Sequence, residues 1–281
     1  MVKYVLSAFA DEYDQDFQTQ LIALNGYGIK YIEIRGVNGK NVSLLSDEEV
    51  ENVKNLLDKY GIKVSAIGSP IGKIHIDGDM NEHFDMAKRV FITANKLNAR
   101  FVRAFSFYPP KTSALDYENE VFTAMDKLVA LANEYGVVLC HENEKGIYGE
   151  TAENCKKVIS RYDGALKAVF DMGNFTLEKH NPQNAYEILR DDIAYFHIKD
   201  ALGAGAIVPA GKGEAKIYEI LSDYARYANG EIFVALEPHL QTFDGLNALT
   251  SAKFDNPYKY ENQRRAFDDA VAKFKEILLK I

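Results

Sequence analysis

The sequence predicts a single-domain α/β fold, a (β/α)8 TIM barrel over residues 1–281. Short apolar runs of strand length alternate eight times with stretches of helical period. The chain contains no Ser/Gly/Pro-rich spacer and no long run of like charges that would mark a domain boundary. An eightfold alternation closes most simply into a barrel, for which about 250 residues is a typical length. The alternative, a doubly wound open sheet, normally carries a GxGxxG or GxxxxGKS phosphate loop, which this sequence lacks.

The eight apolar runs define the predicted strands. They are residues 3–9, 30–35, 62–68, 101–107, 136–142, 166–171, 193–198 and 231–237. The stretches of helical period predict helices at 14–26, 46–60, 81–98, 117–135, 150–161, 183–190, 215–228 and 257–280. The second helix has a start signal, because Ser46 is followed three residues later by Glu49. Gly61 and Gly136 follow the second and fourth helices, where a left-handed residue commonly ends a helix.

Charge and composition argue against several classes of partner. The formal net charge is −8, whereas a nucleic-acid-binding protein needs a local excess of Lys and Arg. The longest apolar stretches are strand-sized, and the amino terminus, MVKYVLSAFADEYD, becomes acidic too early for a signal sequence. We therefore expect a cytoplasmic protein with no nucleic acid and no membrane as partners. Cys140 and Cys155 form no CxxC pair and are expected to pack in the interior.

Four of the predicted strands end in a residue that can bind a divalent cation. These residues close the apolar runs VVLCHE, AVFD, IAYFH and IFVALE, and they are Glu142, Asp171, His197 and Glu237. They lie on the order of 30 residues apart, the length of one strand, one helix and two loops. They therefore belong to consecutive parallel strands, whose carboxyl ends share one face. Three carboxylates and one imidazole suit a single Mn, Mg or Co ion, with Zn as a further candidate.

Five short runs resemble the strand-end motifs of a known family. They are HENE (141–144), FDMGN (170–174), FHIKD (196–200), GKGE (211–214) and ALEP (235–238). In order and spacing they resemble the xylose-isomerase-like barrels, the sugar phosphate isomerase/epimerase family. The resemblance covers nearly the whole chain, and it is most specific in HxKD followed by GxGE. It implies one divalent ion held by the four residues above, with a polyol or keto-sugar bound over it.

Asn174 departs from the family pattern. Many epimerases of the family have a His at this position, three residues after the Asp of the sixth strand. An Asn can hydrogen-bond a substrate hydroxyl, but it cannot titrate near neutral pH. The departure weakens a direct assignment to the ketose 3-epimerases.

The expected reaction is isomerisation or epimerisation of a small keto-sugar or related polyol. Both reactions remove a proton from a carbon next to a carbonyl, and a divalent ion stabilises the enediolate that forms. Glu142 and Glu237 are the predicted base and acid, while Asp171 and His197 mainly hold the ion. A dehydratase of a cyclic polyol or keto acid is the alternative, because elimination shares the enolate intermediate. Six His and the negative net charge disfavour a multi-zinc nuclease, and the complete ligand set disfavours a non-catalytic sugar-binding protein.

Seven further residues are predicted to bind the carbohydrate substrate. They lie at or near strand ends and are Asn174, Lys199, Asp200, Arg103, Lys73, Glu33 and His75. Four of these residues have a structural alternative. Lys199 and Asp200 could form an ion pair that braces their loop, Glu33 could be an internal partner of Arg35, and His75 could be a solvated loop residue.

Three other parts of the sequence carry predictions, two of which leave alternatives open. Glu144 is expected either to contact the substrate or to pair with Lys145 or Lys199. His83 and His180 are predicted to lie at the surface. The stretch 240–258 holds several aromatic residues without a clear period, which favours a lid or a subunit contact, and the resemblance allows for a homo-oligomer.

Overall fold

Eight parallel strands form the wall of a nearly closed barrel in this computed structural model, which describes residues 2–111, 116–241 and 257–281. The strands are β1 (Val2–Ala8), β2 (Tyr31–Ile34), β3 (Lys63–Ile67), β4 (Phe101–Ala104), β5 (Val138–Glu142), β6 (Leu166–Asp171), β7 (Ile193–Ile198) and β8 (Gly230–Leu236). Hydrogen bonds link them in the order β1-β8-β7-β6-β5-β4-β3-β2, and β1 lies beside β2. This arrangement confirms the predicted (β/α)8 class.

A helix follows each strand, as the sequence predicts. The helices are α1 (Phe17–Gly26), α2 (Asp47–Tyr60), α3 (Met80–Lys96), α4 (Glu118–Glu134), α5 (Ala152–Ser160), α6 (Pro182–Leu189), α7 (Ile217–Tyr227) and α8 (Gln263–Leu278). Ser46 and Glu49 form the predicted capping box, in which each side chain accepts a hydrogen bond from the backbone N–H of the other. Gly61 and Gly136 have φ angles of 61° and 68°, the left-handed backbone that glycine adopts at least cost. Among the described residues, none of the helices is long and apolar enough to span a membrane.

Strand β4 ends at Ala104 and not at residue 107 as predicted. The N–H of Phe105 donates to the carbonyl of Ile71 at 2.7 Å, and Phe107 has a φ of 67°, which lies outside the strand region. The chain therefore leaves the sheet and turns toward the loop between β3 and α3.

Several short elements carried no signal in the sequence. They are the helix Met172–Leu177 after β6 and two hairpins, Gly36–Val37 with Lys40–Asn41 and Asp200–Leu202 with Ala206–Val208. Strands of two or three residues and a helix of six residues are too short to show a period. Most of the predicted lid, residues 242–256, lies outside the described part of the chain.

A packed layer fills the barrel beneath the candidate ligands. It consists of the buried side chains of Ala66, Cys140, Val169 and Tyr195. Side chains alternate along a strand, so the residues two positions later on β5, β6 and β7 face the same interior. Those residues are Glu142, Asp171 and His197. The layer therefore closes the site from below and leaves the carboxyl face as its open side.

The prediction that His83 lies at the surface is wrong. His83 lies on helix α3 with its side chain buried, and its Nε2 accepts a hydrogen bond from the N–H of Gly72 at 2.8 Å. Burial lowers the pKa of His83 to about 4, so the ring is neutral near pH 7 and remains an acceptor. Helix α3 thereby anchors the loop that carries Lys73.

Gly72→Ala is expected to destabilise the protein by about 3 kcal/mol or more. The φ of Gly72 is 86°, and an added Cβ would lie 2.0 Å from the backbone oxygen of Phe105. Gly28→Ala is the matched control, because Gly28 has a φ of 72° but no described atom within 4 Å of its added Cβ. It should cost only about 1–2 kcal/mol. Urea unfolding measures both, and equal losses would show that the contact with Phe105 does not matter.

Candidate active site

The four predicted metal ligands converge at the carboxyl ends of β5, β6, β7 and β8. Glu142, Asp171, His197 and Glu237 each offer a ligand atom, and these atoms lie within 4.8 Å of one another. All four side chains are buried. Nδ1 of His197 lies 3.0 Å from Oε1 of Glu142 and 3.4 Å from Oε2 of Glu237. A single cation can therefore reach all four.

The residues present fit a divalent cation. Nζ of Lys199 lies 2.8 Å from Oδ2 of Asp171 and 3.0 Å from Oε2 of Glu237, so an ammonium already lies between two of the carboxylates. Burial opposes the charge of Lys199, but Asp171 and Glu237 raise its pKa above the ordinary value. Carboxylate oxygens with one imidazole nitrogen form a donor set for Mn, Mg, Co or Zn.

Glu33 orients the histidine of this set. Its Oε2 lies 3.0 Å from Nε2 of His197, and its Oε1 accepts a hydrogen bond from the hydroxyl of Tyr195 at 3.1 Å. Metal-ligating histidines commonly hold such a carboxylate on their second nitrogen. Burial favours the neutral ring, but Glu142 and Glu33 raise the pKa of His197 well above its ordinary value. Cation binding at Nδ1 therefore has to displace a proton.

Glu33→Gln is expected to weaken metal binding by about 10- to 100-fold, because the ring of His197 loses the carboxylate that orients it. Titration calorimetry with Mn²⁺ on the folded variant measures this loss. Tyr195→Phe is the control, since it removes only the hydroxyl on the other oxygen of Glu33, and its effect should be smaller. An unchanged affinity in Glu33→Gln would show that Glu33 has no part in the site.

Asn174 lies within the site, at the start of the short helix after β6. Its Oδ1 accepts a hydrogen bond from Nζ of Lys199 at 3.1 Å, and its Nδ2 lies 3.5 Å from Oε1 of Glu142. Its backbone N–H also donates to Oδ1 of Asp171 at 2.8 Å. Asn174 therefore connects three charged residues of the site without adding a charge of its own.

Asp200 faces its own loop. Its carboxylate accepts hydrogen bonds from four backbone N–H groups, those of Ala201, Gly211, Gly213 and Ala215. A Cβ on Gly213 would lie 2.1 Å from Oδ1 of Asp200, which explains a glycine in the GKGE motif. The geometry favours loop bracing for Asp200, although backbone groups replace Lys199 as the partner.

Lys73 and Glu144 form an ion pair at the rim of the site. Their side chains lie 2.7 Å apart and are 14% and 24% exposed, and Nζ of Lys73 lies 4.5 Å from the ring centroid of Phe105. Glu144 thus pairs with neither of the lysines that the sequence suggested. Nδ1 of His75 lies 2.6 Å from the carbonyl oxygen of Pro109, a contact that joins two loops.

Two buried arginines border the site on the side of β2 and β4. Nη1 of Arg103 lies 3.1 Å from Oε2 of Glu142, and its Nη2 donates to the carbonyl of Gly68. Nη1 of Arg35 donates to Oε1 of Glu237 at 2.8 Å. Both guanidinium groups also lie over the ring of Phe9.

The role of Arg35 is the main feature that sequence reasoning missed. Arg35 closes the apolar run of β2 as the ligands close theirs, so a signal was present. The structure, however, pairs it with Asp11, Glu12 and Glu237, while Glu33 pairs with His197. Asp11 and Glu12 follow β1 and received no prediction.

Comparisons with known proteins identify the family and support the fold. The chain matches the family model for the xylose isomerase-like TIM barrel over residues 21–249. No curated protein matches it in sequence.

Solved structures share this fold, among them three with a named ligand or activity. The IOLI protein with a binding zinc atom has 18% sequence identity and a TM-score of 0.74, over 99% of this chain and 98% of that one. A D-psicose 3-epimerase with D-tagatose, from Clostridium cellulolyticum H10, has 15% identity and a TM-score of 0.71, over 98% of both chains. The probable 3-DHS dehydratase AsbF from Bacillus anthracis has 17% identity and a TM-score of 0.70, also over 98% of both.

At these identities the structural likeness shows the fold, while the sequence match shows the family. The resemblance drawn from the strand-end motifs is thereby confirmed. The chain belongs to the family of xylose isomerase-like TIM barrels.

Proposed function

We propose that this protein is a divalent-metal-dependent isomerase or epimerase of a small keto-sugar or related polyol. One observation carries the proposal, the convergence of four ligand atoms within 4.8 Å of one another at the face where barrels of this kind carry their active sites. Two structural neighbours support the proposed classes of substrate and cofactor, because one was crystallised with D-tagatose and the other with zinc. Mn, Mg or Co suits the donor set best, with Zn as a further candidate.

A bound divalent cation would polarise the substrate carbonyl and make the proton on the adjacent carbon easier to remove. Asp171 and His197 lie at the centre of the set, on β6 and β7, and we assign them to holding the ion. Glu142 and Glu237 lie at its two ends, on β5 and β8. The two glutamates therefore approach a substrate over the site from different sides.

Glu142 and Glu237 are the proposed base and acid. Oε2 of Glu142 is buried and lies 3.1 Å from Nη1 of Arg103, but it accepts no hydrogen bond from the described residues, so its lone pairs are available for removing the proton. Oε2 of Glu237 accepts a hydrogen bond from the ammonium of Lys199, so a proton can be supplied on that side. The product then differs from the substrate in configuration or in carbonyl position, with no change in mass.

The polar groups around the ligands are the proposed substrate contacts. Lys199 and Asn174 offer an ammonium and an amide for hydroxyl groups beside the ion. Arg103 borders the opposite side, and Lys73 lies at the rim. For Glu33, Asp200 and His75 the contacts described above support positioning of the site and its loops rather than direct substrate binding.

Elimination of water is the second candidate, and the ammonium of Lys199 favours it. A buried proton donor beside the ligands can protonate a leaving hydroxyl after the adjacent proton has been removed. A structural neighbour is described as a probable 3-DHS dehydratase. Elimination forms a conjugated product that absorbs ultraviolet light, so product analysis separates the two reactions.

Metal analysis followed by a deuterium-exchange screen tests the proposed function. The metal-loaded protein is incubated in deuterated water with keto-sugars, inositol ketones and their acids. We expect deuterium on a carbon next to a carbonyl, and none after the metal is removed by a chelator. A purified protein that binds no divalent ion under any tested condition would contradict the proposal.

A further inference from the structure

Glu237 presents only one of its two oxygens to the candidate ligand set. Oε2 faces the site, 3.4 Å from Nδ1 of His197 and 3.0 Å from Nζ of Lys199. Oε1 faces away and accepts a hydrogen bond from Nη1 of Arg35 at 2.8 Å. The carboxylate is thus held with one oxygen in the site and one outside it.

Arg35 is itself fixed from several directions. Its Nε and Nη2 donate to the two oxygens of Asp11 at 2.8 Å and 2.9 Å, and Nη2 also lies 3.3 Å from Oε1 of Glu12. The guanidinium lies over the ring of Phe9 at 4.4 Å, and its side chain is 2% exposed. A guanidinium that donates to both oxygens of a carboxylate has little freedom to rotate. Arg35 therefore sets the orientation of Glu237.

The other two carboxylates of the set show the same arrangement. Oδ1 of Asp171 accepts the backbone N–H of Asn174 at 2.8 Å, while Oδ2 faces Lys199. Oε2 of Glu142 lies 3.1 Å from Nη1 of Arg103, while Oε1 faces His197. Each carboxylate therefore has one oxygen beside a donor or cation outside the set and the other turned to the common centre.

We propose that Arg35 is a positioning residue that keeps Glu237 a one-oxygen ligand. Four single-atom ligands fill four of the roughly six positions of an octahedral ion. About two positions then stay open, the number that the carbonyl and an adjacent hydroxyl of a keto-sugar need. This inference rests on the proposed function, because it assumes a divalent ion at these residues.

Water-proton relaxation with Mn²⁺ alone counts the exchangeable waters on the bound ion, which occupy the positions meant for substrate. In the unchanged protein we expect about two. Arg35→Lys keeps the positive charge but loses the planar guanidinium that donates to both Asp11 and Glu237. In this variant Glu237 is free to bind the ion through both oxygens. We therefore expect the number of exchangeable waters on Mn²⁺ to fall to about one.

Arg161→Lys is the matched control, because the guanidinium of Arg161 donates to both oxygens of Asp126 at the exposed surface. It should leave the count and the Mn²⁺ affinity unchanged. If Arg35→Lys does not fold, the double variant Asp11→Asn with Arg35→Gln removes one charge of each sign and gives the same expected fall.

The outcomes separate the inference from the proposed function. A folded Arg35 variant that binds Mn²⁺ with an unchanged water count would overturn the role of Arg35 and leave the metal site standing. An unchanged protein that binds no Mn²⁺ and no other divalent ion would overturn the proposed function itself. A fall in the water count in both the Arg35 and the Arg161 variants would attribute the effect to general loosening and also reject the inference.

Discussion

Glu142→Gln and Glu237→Gln are each expected to abolish turnover on the true substrate, with a loss of at least about 10²- to 10⁴-fold. Glutamine keeps the size of the side chain, but its amide accepts no proton from carbon and supplies a weaker ligand oxygen. The barrel should stay folded, because both positions lie at strand ends above the packed interior layer. Deuterium exchange and product formation measure the loss, and circular dichroism checks the fold.

Metal content separates the two ways in which these variants can fail. A variant that retains its ion and loses turnover has lost a proton-transfer group, whereas one that loses the ion has lost a ligand. Glu231→Gln is the control, because Glu231 lies at the other end of β8 in an exposed ion pair with Lys3, and such pairs contribute little. Near-full turnover in either Glu142→Gln or Glu237→Gln would refute the roles assigned to the two glutamates.

Lys199→Met is expected to destabilise the metal-free protein by about 3–5 kcal/mol, the usual cost of leaving buried charges without a partner. The ammonium lies within 3.0 Å of both Asp171 and Glu237. Removing it leaves the buried carboxylate of Asp171 without its ammonium partner, while Glu237 keeps Arg35. Urea unfolding of the metal-free variant measures the loss.

A saturating divalent ion should stabilise Lys199→Met more than it stabilises the unchanged protein. The ion neutralises the same carboxylates, and it binds the folded state alone. Lys145→Met is the control, since Lys145 is 71% exposed in its pair with Glu178 and should cost at most about 1 kcal/mol. If the metal-free Lys199 variant were as stable as the control, Lys199 would not be the group that neutralises the site.

The barrel and the four candidate ligands were accessible from the sequence because both depend on local pattern. The apolar runs have strand length, and each of the four ligands closes one of them. Once the strands are parallel, their carboxyl ends must share a face. Convergence of Glu142, Asp171, His197 and Glu237 then needs no further information.

Contacts of single side chains were less accessible. Phe105 and Phe107 read as a continuation of β4, but a hydrogen bond to Ile71 and a left-handed residue end that strand early. His83 shares the buried face of α3 with Ala87 and Val90, but the group that it binds, the N–H of Gly72, lies in a loop and has no signal in the sequence. Such contacts depend on how loops pack on one another.

By itself, then, the sequence determined the fold class, the family and the four residues that can bind a cation, since strand period and strand-end position are properties of neighbouring residues. Only the tertiary structure decided which groups surround those four. Arg35 reaches Glu237 and Glu33 reaches His197 across the barrel, from positions far apart in the chain. Those choices depend on distances between strands and on side-chain rotation in a closed interior, and neither is encoded in a local pattern.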